Sequence, residues 1–424
     1  MSRSPVPVVP AAPSPLGGDY AARVAFVVEL AGHLHAYGTT AQRLEGALNA
    51  VASALRLECE PMSNPTGLIL TFSDPGRPPG LSDITRVIRM PPGDTDLAKL
   101  CEVDRIAEEV MAGRLDIGAG HAALRALERP PTRRGDAAQV FGFGLAAAAI
   151  AGLLRLPWLD IATAGSAGVL IGLFWLLARG RPQLREAGEA LSALIAGFVA
   201  ILVATWLAPL NLNTVIIAAL IVLVPGMSLT NAVNELTSQH LVSGTARFAG
   251  ALATVMQLTV GSAIALALAH LAGLEPQVRA WRPQPDAVEW GALVVAAFSF
   301  ALLFRSARRD YPLVMLAAVA GYLVSRLGDA AWGSPVGIFL SALLLTAAGN
   351  GYARWVRRPG ALVRVPGILM LVPGSASLRG VMTLVQQQDA ALGQSAALAV
   401  LNILLALIAG LLFGNLLLPT RRNL

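Results

Sequence analysis

Between Asp136 and Pro419 the chain carries two runs of five hydrophobic segments, and the fourth segment of each run is interrupted by the same tripeptide, Val224-Pro225-Gly226 and Val372-Pro373-Gly374. A repeat that crosses a bilayer an odd number of times starts its successor on the opposite side, so two such runs must be inverted relative to each other. Inverted repeats with interrupted helices at matching positions are a feature of secondary transporters. The tripeptides lie 148 residues apart, and the same offset carries Ala137, at the start of the first run, onto Pro285, at the start of the second. Proline has no amide hydrogen and glycine relaxes the backbone, so Pro-Gly at membrane depth frees carbonyls and amides that a substrate can satisfy. A simple kink is the alternative reading, since both residues are common in membrane helices.

Of 424 residues, 55% are hydrophobic and 14% charged, well below the roughly 25% charged of average globular domains. The class is a polytopic α-helical membrane protein. The net charge of +6 does not signal nucleic acid, because residues 1–136 hold 14 Lys/Arg against 16 Asp/Glu while the rest holds 18 against 10, with no basic stripe interleaved with aromatics. Cys59 and Cys101 have neither metal-ligand spacing nor the pattern of a disulfide framework, so no metal and no cofactor is expected. Lys99 is the only lysine and no phosphate-binding loop is present, which argues against direct ATP coupling.

A spanning helix needs about 20 mostly apolar residues. Ten stretches approach that, at 137–155, 158–178, 187–208, 211–233, 245–272, 287–304, 310–327, 331–349, 361–385 and 391–417. They predict repeat 1 over 137–274 and repeat 2 over 285–418. With the N-terminus inside, the inner connections hold 13 arginines and the outer ones five, so both termini are expected in the cytoplasm. Residues 1–19 read as a proline-rich disordered leader. Residues 20–128 read as a cytoplasmic α+β domain, with a helix near Tyr20 to Tyr37, a second helix capped by Thr39 or Thr40 and running through Leu55, strands at 67–72 and 85–90, and a closing helical pair. His33 and His35 are two apart and so on different helix faces, and Ser63 and Cys59 have no recognisable catalytic partners; no enzymatic activity is expected there.

After the first break Ser228, Asn231 and Glu235 recur at helical spacing, with Asn234 beside them; after the second come Ser375, Ser377 and Arg379. Polar groups at membrane depth are costly unless they are paired or line a wet cavity. The expected substrate-binding set is Pro225, Gly226, Asn231, Asn234, Pro373, Gly374, Ser375 and Arg379. Glu235 is the expected proton-coupling residue, with Asp160, Asp329 and Asp389 behind it. Gln257 and Asn402 are further polar positions, equivalent under the offset to within three residues. These groups suit a small zwitterion or anion. Partners are then a small-molecule substrate, protons and membrane lipid, and the sequence leaves open whether the chain is a monomer or a homo-oligomer.

The stretch Tyr37-Gly-Thr-Thr-Ala-Gln-Arg43-Leu-Glu, the later Glu102-Val-Asp-Arg-Ile-Ala, the segment Val224 to Asn231 leading to Gly244-Thr-Ala-Arg247-Phe, and Val365-Pro-Gly-Ile-Leu-Met-Leu-Val-Pro373-Gly together resemble the threonine/serine exporter family in its fused form. The resemblance covers nearly all of the chain after about residue 20. It implies export of L-threonine and L-serine driven by the proton motive force in a bacterial cytoplasmic membrane. Split pairs of that family are associated with succinate export, so a dicarboxylate exporter is the alternative within the class. A protein whose soluble domain is enzymatic or regulatory is the alternative outside it. Two positions depart from the family pattern: Glu235 stands where aspartate is frequent, and Gln239 precedes His240 where glycine is expected.

Overall fold

The computed structural model describes residues 20–76, 83–130, 132–279, 282–371, 378, 380, 382 and 390–419. The N-terminal domain begins with α1 (Tyr20–Ala36) and α2 (Ala41–Ala54). Between them Gly38 takes φ +82°, and a Cβ there would meet Thr95 Oγ1 at 3.0 Å, so only glycine turns this corner without strain. Three antiparallel strands follow in the order β1-β2-β3: β1 (Glu58–Asn64), β2 (Gly67–Ser73) and β3 (Ile84–Arg89), with Glu58 opposite Ser73 and Gly67 opposite Arg89. β2 alternates, with Leu68, Leu70 and Phe72 buried against Phe26, Val27, Leu30 and Leu34 of α1 and Leu44, Leu48 and Val51 of α2. Helices α3 (Leu97–Met111) and α4 (Ile117–Ala126) close this core. Their N-caps are Asp96 and Asp116, which accept from Lys99 N at 3.0 Å and Ala119 N at 2.8 Å. Such caps contribute about 1 kcal/mol each.

The remainder is helical: α5 (Arg133–Leu153), α6 (Trp158–Leu177), the short α7 (Pro182–Glu186), α8 (Gly188–Trp206), α9 (Leu212–Ala219), α10 (Gly226–Thr237), α11 (Leu241–Leu271), α12 (Asp286–Leu303), α13 (Tyr311–Trp332), α14 (Ser334–Val356), α15 (Ala361–Leu369) and α16 (Ala390–Leu417). Among the described residues eight helices are long and apolar enough to cross a membrane: α5, α6, α8, α11, α12, α13, α14 and α16. The chain is thus a polytopic helical membrane protein. The stretch expected as one span at 211–233 is instead two short helices, α9 and α10, parted at residues 220–225. The stretch at 361–385 opens with α15 and then runs into residues outside the described set.

Small residues set the helix contacts, since lipid supplies no hydrophobic drive for association. A Cβ on Gly168 would fall 2.7 Å from Phe143 O, one on Gly197 2.4 Å from Ala265 Cβ, and one on Gly410 2.5 Å from Phe339 O. These contacts also fix direction. α8 and α11 run parallel, because Gly197 abuts Ala265 while Gly261 abuts Ala190; α14 and α16 run parallel, because Gly410 abuts Phe339 while Gly414 abuts Leu343. The first helices of the two runs, α5 and α12, are antiparallel, with Gly142 against Leu302 and Leu303 and Gly152 against Ala292. Arg155, after α5, pairs with Asp286 at the start of α12; Arg305, after α12, donates to Gln139 near the start of α5 at 2.8 Å. Both arginines hold the left-handed conformation, with φ of 56° and 48°.

The N-terminal domain is bonded to this helical half. Leu97 N donates to Phe304 O at 2.9 Å, and Leu97 and Cys101 pack with Ala301, Val314 and Leu362. Burial pushes the Cys101 thiol up to about 11 and the Cys59 thiol to about 12, so both are inert and protonated at neutral pH. His33 and His35 have separate partners, Tyr37 Oη and Pro91 O. His121 pairs with Glu29.

Candidate functional site at the broken helix

The break between α9 and α10 follows from its sequence. Pro225 cannot donate, and it sits as the residue capping α10 with φ −80° and ψ 45°, outside helical geometry. Two tight turns, Leu223 N to Leu220 O at 2.9 Å and Gly226 N to Val224 O at 2.8 Å, carry the chain across. Among the described residues the carbonyls of Ile221, Val222 and Leu223 accept no backbone hydrogen bond, and the amides of Met227 and Ser228 at the start of α10 donate none. Acceptors and donors therefore stand on the two sides of one gap. The hydroxyl of Thr230, in the first turn and a half of α10, is buried without a partner among the described residues.

Met227, Asn231 and Asn234 share one face of α10 at helical spacing. Met227 packs against the core cluster of the second run that includes Ala317, Leu345, Val363 and Leu407, which turns this face toward the other half of the helical region. Reciprocally, Leu378 and Met382 join the core built by α5, α6, α8 and α9. Asn231 and Asn234 are half-buried, and neither side-chain amide is hydrogen-bonded among the described residues. Pro373, Gly374, Ser375, Ser377, Arg379 and Asp389 lie outside the described residues. Gln257 is half-buried with Oε1 unpartnered, and Asn402 is exposed.

Glu235 is fully buried at the end of α10, and its carboxylate is surrounded by donors. Arg247 Nε reaches both oxygens at 3.0 and 2.9 Å, Ser243 Oγ donates to Oε2 at 2.7 Å, and Ala41 N donates to Oε1 at 3.1 Å. The last donor is the first amide of α2, so a helix N-terminus of the N-terminal domain holds a carboxylate of the helical half. Gly244 makes this possible: a Cβ there would lie 2.8 Å from Ala232 O, so only glycine lets α11 fold back on α10 closely enough for Ser243 and Arg247, four apart, to meet Glu235. Beside this joint His240 Nε2 lies 3.0 Å from Glu45 Oε2, while Glu45 Oε1 accepts from Ser63 N at 2.7 Å. Ser63 is thus a buried strand residue with its amide in the joint rather than an exposed hydroxyl.

Among the described residues three other buried carboxylates lie in the helical half. Asp160, near the start of α6, accepts from Asn211 N at 3.1 Å and Asn211 Nδ2 at 2.8 Å, and its Oδ1 has no partner among the described residues. Asp310, before α13, holds Arg358 through bonds of 2.6 and 2.7 Å. Glu289 on α12 takes bonds from Tyr322 and Arg326. Asp329 is exposed. From sequence alone Arg247 reads as a loop arginine; its spacing of four from Ser243 is the one signal of a shared partner. No sequence signal points to Ala41.

Residues 25–269 match the family model ThrE, a threonine/serine exporter, and residues 290–417 match a second model of the same description. A Schizosaccharomyces pombe protein, "Uncharacterized protein C7D4.12c", is 24% identical over 353 residues, which is 79% of this chain and 45% of that protein. The chain therefore spans about half the length of the curated relative it matches. No solved structure matches the chain.

Proposed function

The chain belongs to the threonine/serine exporter family, and on that premise we propose that it moves L-threonine and L-serine out across the cytoplasmic membrane by alternating access, coupled to the proton motive force. The observation that carries this reading is the gap at 220–225, where, among the described residues, carbonyls before the break and amides after it lack backbone partners and the side chains of Asn231 and Asn234 make no hydrogen bond. Carbonyls suit the ammonium of an amino acid, and amides at a helix N-terminus suit its carboxylate. Ser375, Arg379 and the second Pro-Gly complete the expected site from the other repeat.

Ten crossings in two inverted repeats are supported by helix direction. Parallel α8 and α11 need one crossing between them, which α9 and α10 supply together; parallel α14 and α16 need one as well, begun by α15. Local chemistry recurs at opposite ends of the two runs: Asp160 with Asn211 in the first, Asp310 with Arg358 in the second, each joining the start of a second helix to the approach to a broken fourth. The reciprocal arginines Arg155 and Arg305 repeat in the same way. Arginine bias then puts the N-terminal domain and both ends inside.

Glu235 is the proton-coupling candidate because it is the buried carboxylate on the broken helix itself. Protonation of Glu235 removes the negative charge that holds Arg247 while leaving acceptors for Ser243 and Ala41, so it loosens the docking of α10 on α11. The test is efflux from proteoliposomes loaded with labelled threonine, serine or succinate, with and without a pH gradient. Saturable, gradient-dependent efflux of threonine or serine is expected. Asn231→Ala with Asn234→Ala is expected to raise the threonine KM by about tenfold, on the order of one lost charge-assisted hydrogen bond. Wild-type kinetics from that variant would remove this face from the site, and succinate efflux alone would make the chain a dicarboxylate exporter.

A further inference from the structure

Arg364 lies one turn into α15 and is only 5% exposed. Its Nη1 donates to Asn350 Oδ1 at 3.0 Å, and its Nη2 is buried without a hydrogen-bond partner among the described residues. Asn350 is fixed from behind, since its Nδ2 donates to Asn415 Oδ1 at 2.9 Å and to Leu418 O at 2.8 Å, so its oxygen is committed to the guanidinium. Glycines make the slot. A Cβ on Gly349 would fall 2.7 Å from Arg364 Cγ, and one on Gly360 would fall 3.3 Å from Nη2.

No carboxylate pairs with this cation among the described residues. The buried acids of the second run are already committed, Glu289 to Arg326 and Asp310 to Arg358. An arginine does not shed its proton to escape burial, and a buried charge without a counter-charge is costly. The cluster is also absent from the first run: the offset of 148 carries Arg364, Asn350 and Asn415 onto Ile216, Leu202 and Ala267. Scaffold contacts such as Asp310 with Arg358 recur in both runs, whereas this one is private to the second. Asymmetry of that kind marks chemistry that the scaffold does not require.

We propose that Arg364 and Asn350 form a carboxylate-binding subsite, which takes the α-carboxylate of the transported amino acid at the end of the pathway nearest the N-terminal domain. Each guanidinium Nη carries two hydrogens, so Nη1 keeps one free beside those of Nη2, and a carboxylate can bind both in parallel. The proposal rests on the exporter reading for the identity of the ligand but not for its carboxylate chemistry.

The test uses the full purified chain in a carboxylate-free buffer with detergent, with Tm shifts read against L-threonine, L-threoninamide, succinate and added chloride; KM comes from the proteoliposome assay. Threonine should stabilise the wild type and threoninamide should not. Arg364→Lys loses the planar fork, and a rise in threonine KM of at least about tenfold is expected, on the scale of a charge-assisted bidentate contact. Asn350→Asp guards against misfolding: it supplies an internal carboxylate to Arg364, so Tm should be kept or raised while stabilisation by threonine is lost. Unchanged threonine KM and Tm shift in both variants would overturn the subsite and leave the exporter reading standing. Stabilisation by chloride alone would also overturn it, making the cation a resident halide site. If the wild type moved no amino acid yet carboxylates stabilised it through Arg364, the subsite would stand and the exporter reading would fall.

Discussion

At the scale of single residues, Gln239 illustrates how a departure from a family pattern acquires a physical meaning. It sits between α10 and α11 with φ 66°, in the left-handed region that favours glycine. The resemblance leads one to expect glycine there, and the backbone has kept the glycine conformation while the side chain has changed. A non-glycine residue pays about 1–2 kcal/mol for this region. Gln239→Gly is therefore expected to stabilise the protein by about 1 kcal/mol, the remainder being offset by the greater freedom of glycine when unfolded. A thermal melt checks it, and a lower Tm would mean that the glutamine side chain makes up for its own strain.

At the scale of elements, the broken helix was legible because proline and glycine act locally, whereas the partners of Glu235 were not. Ser243 and Arg247 lie beyond a turn whose closeness depends on Gly244, and Ala41 lies 194 residues earlier in the chain. Strand β1 was also illegible: Glu58-Cys-Glu-Pro-Met-Ser-Asn has neither apolar alternation nor strong β propensity, and it survives as an edge strand, where proline is tolerated. The hairpin of α10 and α11 yields its own prediction. Arg247→Leu keeps much of the packing volume but leaves the Glu235 carboxylate buried with only two neutral donors. Removing one partner of such a pair costs about 3–5 kcal/mol. The Tm should fall accordingly, and Glu235→Gln added to Arg247→Leu should restore much of the loss, since the remaining group carries no charge. Absence of that rescue would mean that Arg247 acts through something other than Glu235.

For the molecule as a whole, the question is what the N-terminal domain does to the helices beside it. Its own stability carries a pH signature. Burial holds His33 and His35 below the ordinary histidine value of 6.5, more strongly than Glu128 and the carbonyl of Pro91 raise them. Below that value the unfolded chain takes up protons that the folded domain refuses, so stability is lost as pH falls through about 6.5. Protection factors of α1, which divide out the slowing of intrinsic exchange, should fall between pH 7.5 and 5.5, and His35→Gln should lessen that fall. The mechanical coupling can be isolated more sharply at Ala41, the first residue of α2 and the donor to Glu235. Proline is well accepted at that position and the preceding Thr40 is extended with ψ 154°, so Ala41→Pro deletes one amide hydrogen while leaving α2 intact. A hydrogen bond to a charged group contributes about 1.5–3 kcal/mol, so amide exchange in α10 and the first turn of α11 should accelerate about tenfold or more while α2 keeps its protection. That outcome would make the domain a brace on the broken helix, gripping it at the Glu235 carboxylate. Unchanged exchange in α10 would leave Arg247 and Ser243 as the whole of the clamp, and the domain's contacts at Phe304 and Leu362 as attachment alone.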